Sequence, residues 1–186
     1  YTRIPALTNL RLQIIAMKTF FLTFSLFISV CMAQMPICKN LVFEGAGIRG
    51  IAYAGVLEEF EKKGILDSVK RVGGTSAGAI IALTISLGYN AAEVFQIINN
   101  TNFNRFKDGK FFFMGGMHRL QKRYGWYRGY RFSKWISDII ERKTCDPDFT
   151  FMELHNAGYR DMYITATCLN KQNLIVFSYE TYPAMK

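Results

Sequence analysis

The 186-residue sequence holds only two histidines and four cysteines, and each scarcity narrows what it can do. The cysteines, Cys31, Cys38, Cys145 and Cys168, stand at no spacing that suits a zinc site. With only His118 and His155 available, a Ser-Asp-His triad has few ways to be built. No Gly-Lys-Ser/Thr closes a glycine-rich loop, which excludes a P-loop nucleotide site. No apolar run reaches the roughly 20 residues of a comfortable membrane span. Internal repeats and low-complexity tracts are also missing, so neither a solenoid nor a disordered tail is indicated. Acidic residues are in the minority, 14 against 23 Lys and Arg, for a formal net charge of +9.

What is present points to one globular unit. Half of the residues are hydrophobic, enough for one sizeable core, and strand-like and helix-like patterns alternate. The expected fold class is α/β, layered, with a mostly parallel central sheet flanked by helices.

The most informative stretch is Gly74-Thr75-Ser76-Ala77-Gly78. Val69 to Gly73 reads as a short strand before it. Ala77 to Leu87, stopped by Gly88, reads as a buried helix after it. A serine on such a strand-to-helix turn is exposed in a strained backbone, and a Cβ at either flanking position, Gly74 or Gly78, would collide with its surroundings. Ser76 would also stand at a helix N-terminus, where unpaired N–H groups favour negative charge. The plainer alternative is a serine that only caps the helix.

A second glycine cluster follows the strand-like Leu41-Val42-Phe43: Glu44-Gly45-Ala46-Gly47-Ile48-Arg49-Gly50, leading into a helical pattern from Ile51 to Lys63 that Gly64 would stop. Small residues entering a helix present backbone N–H groups to an anion, and an acyl oxyanion is one candidate. Gly45, Gly47 and Gly50 also fit the dinucleotide pattern, but Asp67 precedes the next strand, where the ribose-binding acid would follow it.

Together, the two glycine motifs resemble those of the patatin-like phospholipase family, and the resemblance extends over residues 40 to 186. It includes Gly125-Trp126-Tyr127-Arg128-Gly129 before a helix, Tyr163-Ile164-Thr165-Ala166-Thr167 with Leu169-Asn170, and Ile175-Val176-Phe177-Ser178. The resemblance implies a serine-dependent lipid acyl hydrolase that uses a Ser/Asp dyad, with no metal and no cofactor. Ser76 would be the nucleophile, Gly45, Ala46 and Gly47 the oxyanion hole, and Arg49 and Gly50 the close of that motif. Ala46 stands where the family more often has glycine, and it keeps the amide. The family's catalytic Asp lies in an Asp-Gly-Gly or Asp-Gly-Ala loop, which this sequence does not contain. Asp108-Gly109 reads as a turn. The chain is therefore expected to represent the N-terminal part of the domain, truncated on its C-terminal side and inactive by itself. A non-catalytic lipid-binding relative, or an inactive truncated product, would share these motifs. The triad alternative would join Ser76 to Asp138, Asp146 or Asp148 and to His155, which lies in a short helical piece, Phe151 to Gly158.

At the N-terminus, Met17-Lys18, the apolar run Phe20 to Val30 and Cys31-Met32-Ala33 have the parts of a secretory signal peptide over residues 17–33. Residues 1–16 would be an upstream segment outside the fold, and residues 34–186 the exported domain. Cleavage there leaves three cysteines. Cys168 reads as a core residue, and one Cys38–Cys145 disulfide is open to formation in an oxidising compartment.

Between residues 105 and 131 lie eight basic residues against Asp108 alone, interleaved with Phe106, Tyr124, Trp126, Tyr127 and Tyr130 among other aromatics. This mixture suits contact with an anionic lipid surface. A partly packed loop with solvated basic tips is the bland alternative, single-stranded nucleic acid is another, and export argues against nucleic acid. Ser133 reads as the N-cap of a helix to Lys143, with Trp135, Ile136, Ile139 and Ile140 as its packing face. Asn90 reads as the cap of a helix from Ala91 to Ile98. The sequence leaves the oligomeric state open.

Overall fold

The computed structural model describes residues 13–25, 38–109 and 114–186. The chain divides into two units, Tyr1–Ile37 and Cys38–Lys186. The first contributes helix α1 (13–25), on which Phe20 stacks on Phe24 with ring centroids 6.0 Å apart. The Thr19 and Thr23 hydroxyls bond back to carbonyls of the preceding turn. Among the described residues no helix is long and apolar enough to cross a membrane. The end of the expected signal segment, with Cys31 and Ala33, and most of residues 1–16 lie outside the described residues.

The second unit is built on a four-stranded sheet in the order β1 (Asn40–Phe43), β2 (Arg71–Gly74), β3 (Asp161–Cys168) and β4 (Asn173–Phe177). The first three strands run parallel and β4 returns antiparallel to β3, so the expected α/β class with a mostly parallel sheet is the one observed. Phe43 is in register with Gly74, and Gly74 with Ile164. The ends of β1 and β2 therefore lie side by side, and each runs into one of the two glycine motifs. Open parallel sheets place their ligands at the carboxyl ends of the strands.

Between β1 and β2 come a 3-10 turn (Gly47–Ile51), α2 (Ala52–Lys62) and α3 (Ile65–Ser68). The expected stop is in place, with Gly64 left-handed at φ 65° just beyond α2. From β2 the chain enters α4 (Ala77–Ser86), buried almost throughout, with Ile81 and Ile85 each about 1% exposed. It continues through α5 (Ala91–Asn99), a 3-10 turn (Phe103–Phe106), α6 (Met114–Arg123), α7 (Tyr130–Thr144) and α8 (Phe151–Asn156) to β3. Leu57, Val72, Val94 and Ile139 join α4 in the core. The Arg160 guanidinium donates to the Ile85 and Leu66 carbonyls at 2.9 and 3.0 Å, adding a second donor to carbonyls at the C-terminal ends of α4 and α3 that also accept the Gly88 and Val69 N–H groups.

Local capping signals hold where the partners are local. Asn90 and Glu93 form the capping box of α5, with Glu93 N–H to Asn90 Oδ1 at 2.8 Å, and Thr150 and Glu153 form that of α8. The start of α7 differs. The helix begins at Tyr130, with Gly129 as N-cap at φ 81°, and Ser133 lies inside it. The acceptor is the distant Asp108 carboxylate, which takes the N–H groups of Arg128, Gly129 and Arg131 at 2.8, 2.9 and 3.1 Å. Asp108-Gly109 is thus more than a turn. Its carboxylate ties the loop after α5 to the head of α7.

The cysteines also differ from expectation. Cys38, Cys145 and Cys168 are free thiols, so the Cys38–Cys145 bridge is not formed, and Cys168 is only half-buried. Cys145 instead occupies the left-handed C-cap of α7 at φ 62°.

Candidate active site

Ser76 sits on the turn from β2 to α4 at φ 52° and ψ −122°, a conformation that L side chains rarely adopt. It occupies the N-cap position, yet its side chain makes no capping hydrogen bond. The capping explanation for Ser76 therefore fails, and its hydroxyl is exposed and uncommitted. The backbone holds the strain: Ala79 N–H bonds the Ser76 carbonyl at 2.9 Å, and Thr75 N–H bonds the Phe43 carbonyl at 3.2 Å. The Thr75 hydroxyl also bonds that of Thr165 on β3.

Both flanking glycines are required by space. A Cβ on Gly74 would collide with the Gly78 carbonyl and stand 2.6 Å from Ala79 N, and a Cβ on Gly78 would collide with the Phe43 carbonyl and stand 2.6 Å from Glu44 O. Strand β1 and helix α4 therefore touch backbone to backbone at Gly78. This contact brings the other motif to Ser76: a Cβ on Gly45 would lie 3.3 Å from the Ser76 Cβ. Gly50, buried, lets the 3-10 turn rest on Ala77. Gly47 takes φ 54° in open space, so conformation rather than crowding calls for glycine there.

The loop is fixed from below. The Tyr53 hydroxyl donates to the Glu44 carbonyl at 3.0 Å, and its ring meets Phe43 edge-on at 5.2 Å. Arg49 N–H bonds the Ala46 carbonyl at 3.1 Å and closes the turn, leaving the Arg49 side chain exposed. No hydrogen bond among the described residues engages the Gly45 and Ala46 amides.

Two apolar cavities meet at the serine. One, of about 370 Å³, is walled by Leu83, Ile136, Ile140, Phe149 and Phe177; the other, of about 390 Å³, by Gly47, Ile48, Ile51, Ile98 and Phe103. Ser76, Ile80 and Phe132 belong to both, and no carboxylate among the described residues lines either. Local periodicity assigned Ile136 and Ile140 to packing alone. They do touch the core, and they also form the wall that faces the serine. With Phe132 they make an i, i+4, i+8 stripe, a signal readable in sequence only once the partner element is known.

The triad residues do not assemble. His155 Nδ1 bonds Asp161 at 2.7 Å and its ring stacks on Tyr179 at 4.0 Å. Asp161 is in register with Arg71, at the opposite end of β2 from Gly74. Asp138 pairs with Lys134, Asp148 with Lys186, and Asp146 accepts from the Asp148 amide. The dinucleotide alternative fails as well, because Asp67 is exposed on α3 ahead of β2. Among the described residues no group of His, Cys, Asp and Glu is placed to hold a metal ion.

The basic and aromatic segment divides in two. Phe106 packs on Phe132 and Trp135 at 5.4 and 5.3 Å, and the Trp126 carbonyl accepts from Arg119 Nε at 2.9 Å. Lys122, Arg123, Tyr124, Arg128 and Tyr130 are exposed, Tyr124 to 85%.

The sequence and the fold are similar to those of known proteins over part of their length. The chain is 40% identical over 107 residues to the uncharacterized protein YqhO of Bacillus subtilis, an alignment covering 55% of this chain and 36% of that protein. It is 30% identical over 148 residues to the uncharacterized protein R571 of Acanthamoeba polyphaga mimivirus, covering 79% and 48%. A 61-residue stretch is 43% identical to a cUMP-AMP-activated phospholipase of Escherichia coli, covering 31% and 19%. The chain thus spans less than half the length of these relatives. In fold it is similar to ExoU of Pseudomonas aeruginosa, with a TM-score of 0.61 at 19% identity over 82% of this chain and 37% of that one. VipD of Legionella pneumophila gives a TM-score of 0.58 at 16% identity over 81% and 41%. Residues 41–186 match the patatin-like phospholipase family, and the chain belongs to that family.

Proposed function

We propose that the chain is the nucleophile-bearing part of a serine-dependent lipid acyl hydrolase. Ser76 Oγ attacks an ester carbonyl carbon while its proton passes to a general base. The carbonyl oxygen becomes an oxyanion held by the Gly45, Ala46 and Gly47 amides, each such donor contributing about 3–4 kcal/mol in the transition state. Collapse expels the alcohol with that proton, and water then releases the fatty acid from Ser76. The base is assigned to the Asp that the family carries in an Asp-Gly-Gly or Asp-Gly-Ala loop, which this sequence lacks. Without it, this polypeptide alone is expected to turn over poorly.

The observation that carries this reading is the strained, uncommitted Ser76 hydroxyl at the meeting point of two apolar cavities. Buried methylenes contribute about 0.8 kcal/mol each, so the cavities favour an acyl chain over a polar substrate. The exposed Lys122, Arg123, Arg128, Tyr124 and Tyr130 suit contact with an anionic membrane surface. Residues 17–33 suit a signal peptide, and with them export.

The test is covalent labelling of the full-length protein by a fluorophosphonate. Labelling at Ser76 that Ser76→Ala abolishes supports the reading. Binding to phosphatidylglycerol vesicles with neither labelling nor ester cleavage would replace it with a non-catalytic lipid-binding protein.

A further inference from the structure

A third and larger cavity, of about 570 Å³, lies between α5 and α7 and differs in character from the two at Ser76. Arg105, Arg142, Lys143 and the amides of Gln96 and Asn100 form its polar wall, and Tyr89, Phe106 and Trp135 supply its rings. Glu93 is its one carboxylate among the described residues, and it is already matched: Lys143 Nζ lies 3.0 and 3.2 Å from its two oxygens and 4.4 Å from the centre of the Tyr89 ring. Arg105 and Arg142 have no ion-pair partner among the described residues.

The cleft is therefore lined by two exposed arginines without ion-pair partners among the described residues, whose planar forks match phosphate oxygens. Half-buried Phe106 and Trp135 add aromatic surface against which a planar ring can pack. The volume falls within the roughly 300–1,000 Å³ of small-molecule sites.

The same rings connect the cleft to the serine. Phe106 lies 5.3 Å from Trp135 and 5.4 Å from Phe132, and Trp135 lies 5.9 Å from Phe132, all between ring centres. Phe132 lines both Ser76 cavities. Helix α5 likewise turns Gln96 and Ile97 to the cleft and Ile98 to one of the serine cavities. Phe106 and Trp135 both pack on Phe132, so a guest that shifts either ring alters a contact of Phe132, which is itself 40% exposed and has room to respond.

We propose that this cleft is an effector site for a soluble phosphate ester carrying a planar ring, a mononucleotide in its chemistry, and that its occupancy alters the Ser76 site through Phe106, Trp135 and Phe132. The coupling half rests on the hydrolase reading; the binding half does not.

The experiment titrates the full-length protein with AMP and, separately, with inorganic phosphate, following tryptophan emission and the rate of fluorophosphonate labelling. Trp135 and Trp126 are the two tryptophans of these 186 residues, and the emission lost in Trp135→Phe identifies the reporter in the cleft. A saturable change in Trp135 emission with AMP, weakened at least tenfold by Arg142→Gln and less by Arg142→Lys, which keeps the charge without the fork, is the expected result. A several-fold change in labelling rate at the same AMP concentrations is expected with it. Arg142 lines neither Ser76 cavity, so labelling without AMP should be the same in Arg142→Gln. No saturable response to AMP overturns the site, and an equal response to inorganic phosphate overturns the ring-binding part. AMP binding with an unchanged labelling rate overturns the coupling. Absence of labelling under every condition instead counts against Ser76 as nucleophile and leaves the emission titration to decide the cleft.

Discussion

Gly45 and Ser76 come from different glycine motifs, and they meet so closely that a Cβ on Gly45 would stand 3.3 Å from the Cβ of Ser76. That proximity follows from Gly78, where β1 and α4 touch without a side chain between them.

Ser76 holds φ 52° at a cost of about 1–3 kcal/mol, the usual range for such backbone strain. Ser76→Gly removes the strain together with the hydroxyl. Its thermal midpoint is expected to match or exceed that of the unaltered protein, with fluorophosphonate labelling lost. A clear fall in the midpoint would show that the turn is relaxed as it stands.

Gly78→Ala and Gly74→Ala place a methyl into backbone atoms that cannot move aside. Each is expected to destabilise by about 3 kcal/mol, the upper end for overpacking, and to reduce soluble yield. Gly55→Ala, in the interior of α2 with nothing within 4 Å, is the contrast. It should stabilise by about 1 kcal/mol through helix propensity. Urea denaturation of the three variants measures the difference.

Burial raises the Asp108 pKa, but the N–H groups of Gly129, Arg131 and Arg128 outweigh it and leave the carboxyl below its ordinary value. A folded pKa below the unfolded one means stabilisation that is complete above the unfolded value. It is lost as pH falls through the folded value. Asp108→Ala is expected to cost about 1–2 kcal/mol at neutral pH, as for loss of a helix cap. The difference from the unaltered protein should shrink as the acid limb is entered, and an equal difference at both pH values would show that the charge is not what caps α7.

His155→Ala removes the pairing with Asp161 and the stacking on Tyr179. It is expected to leave the Ser76 labelling rate unchanged within twofold and to lower stability modestly. A large loss of labelling would restore His155 as a catalytic group.

Ile140→Trp narrows the cavity of about 370 Å³ beside Ser76. Hydrolysis of long-chain esters should fall more than that of short-chain ones, by roughly fourfold in kcat/KM for each methylene left outside. Equal loss across chain lengths would place the acyl chain elsewhere.

The sequence by itself determined the features that depend on neighbours in the chain. Gly74 and Gly78 around Ser76, the Asn90–Glu93 capping box and the Gly64 stop were all legible, because each is enforced within a few residues by sterics or by a short-range hydrogen bond. Tertiary structure decided what depends on distant partners. Asp108 heads α7 from far along the chain and overrides Ser133, since a helix N–H bonds whichever acceptor the fold brings near. His155 goes to Asp161, at the end of the sheet opposite Gly74, although Phe151 and Leu154 of the same helix line a cavity at Ser76; which face of so short a helix meets which end of the sheet is not encoded locally. The division of α7, with Ile136 and Ile140 toward the serine and Trp135 toward the cleft, follows from helical geometry. An apolar stripe reads the same until the surfaces on either side of it are in place.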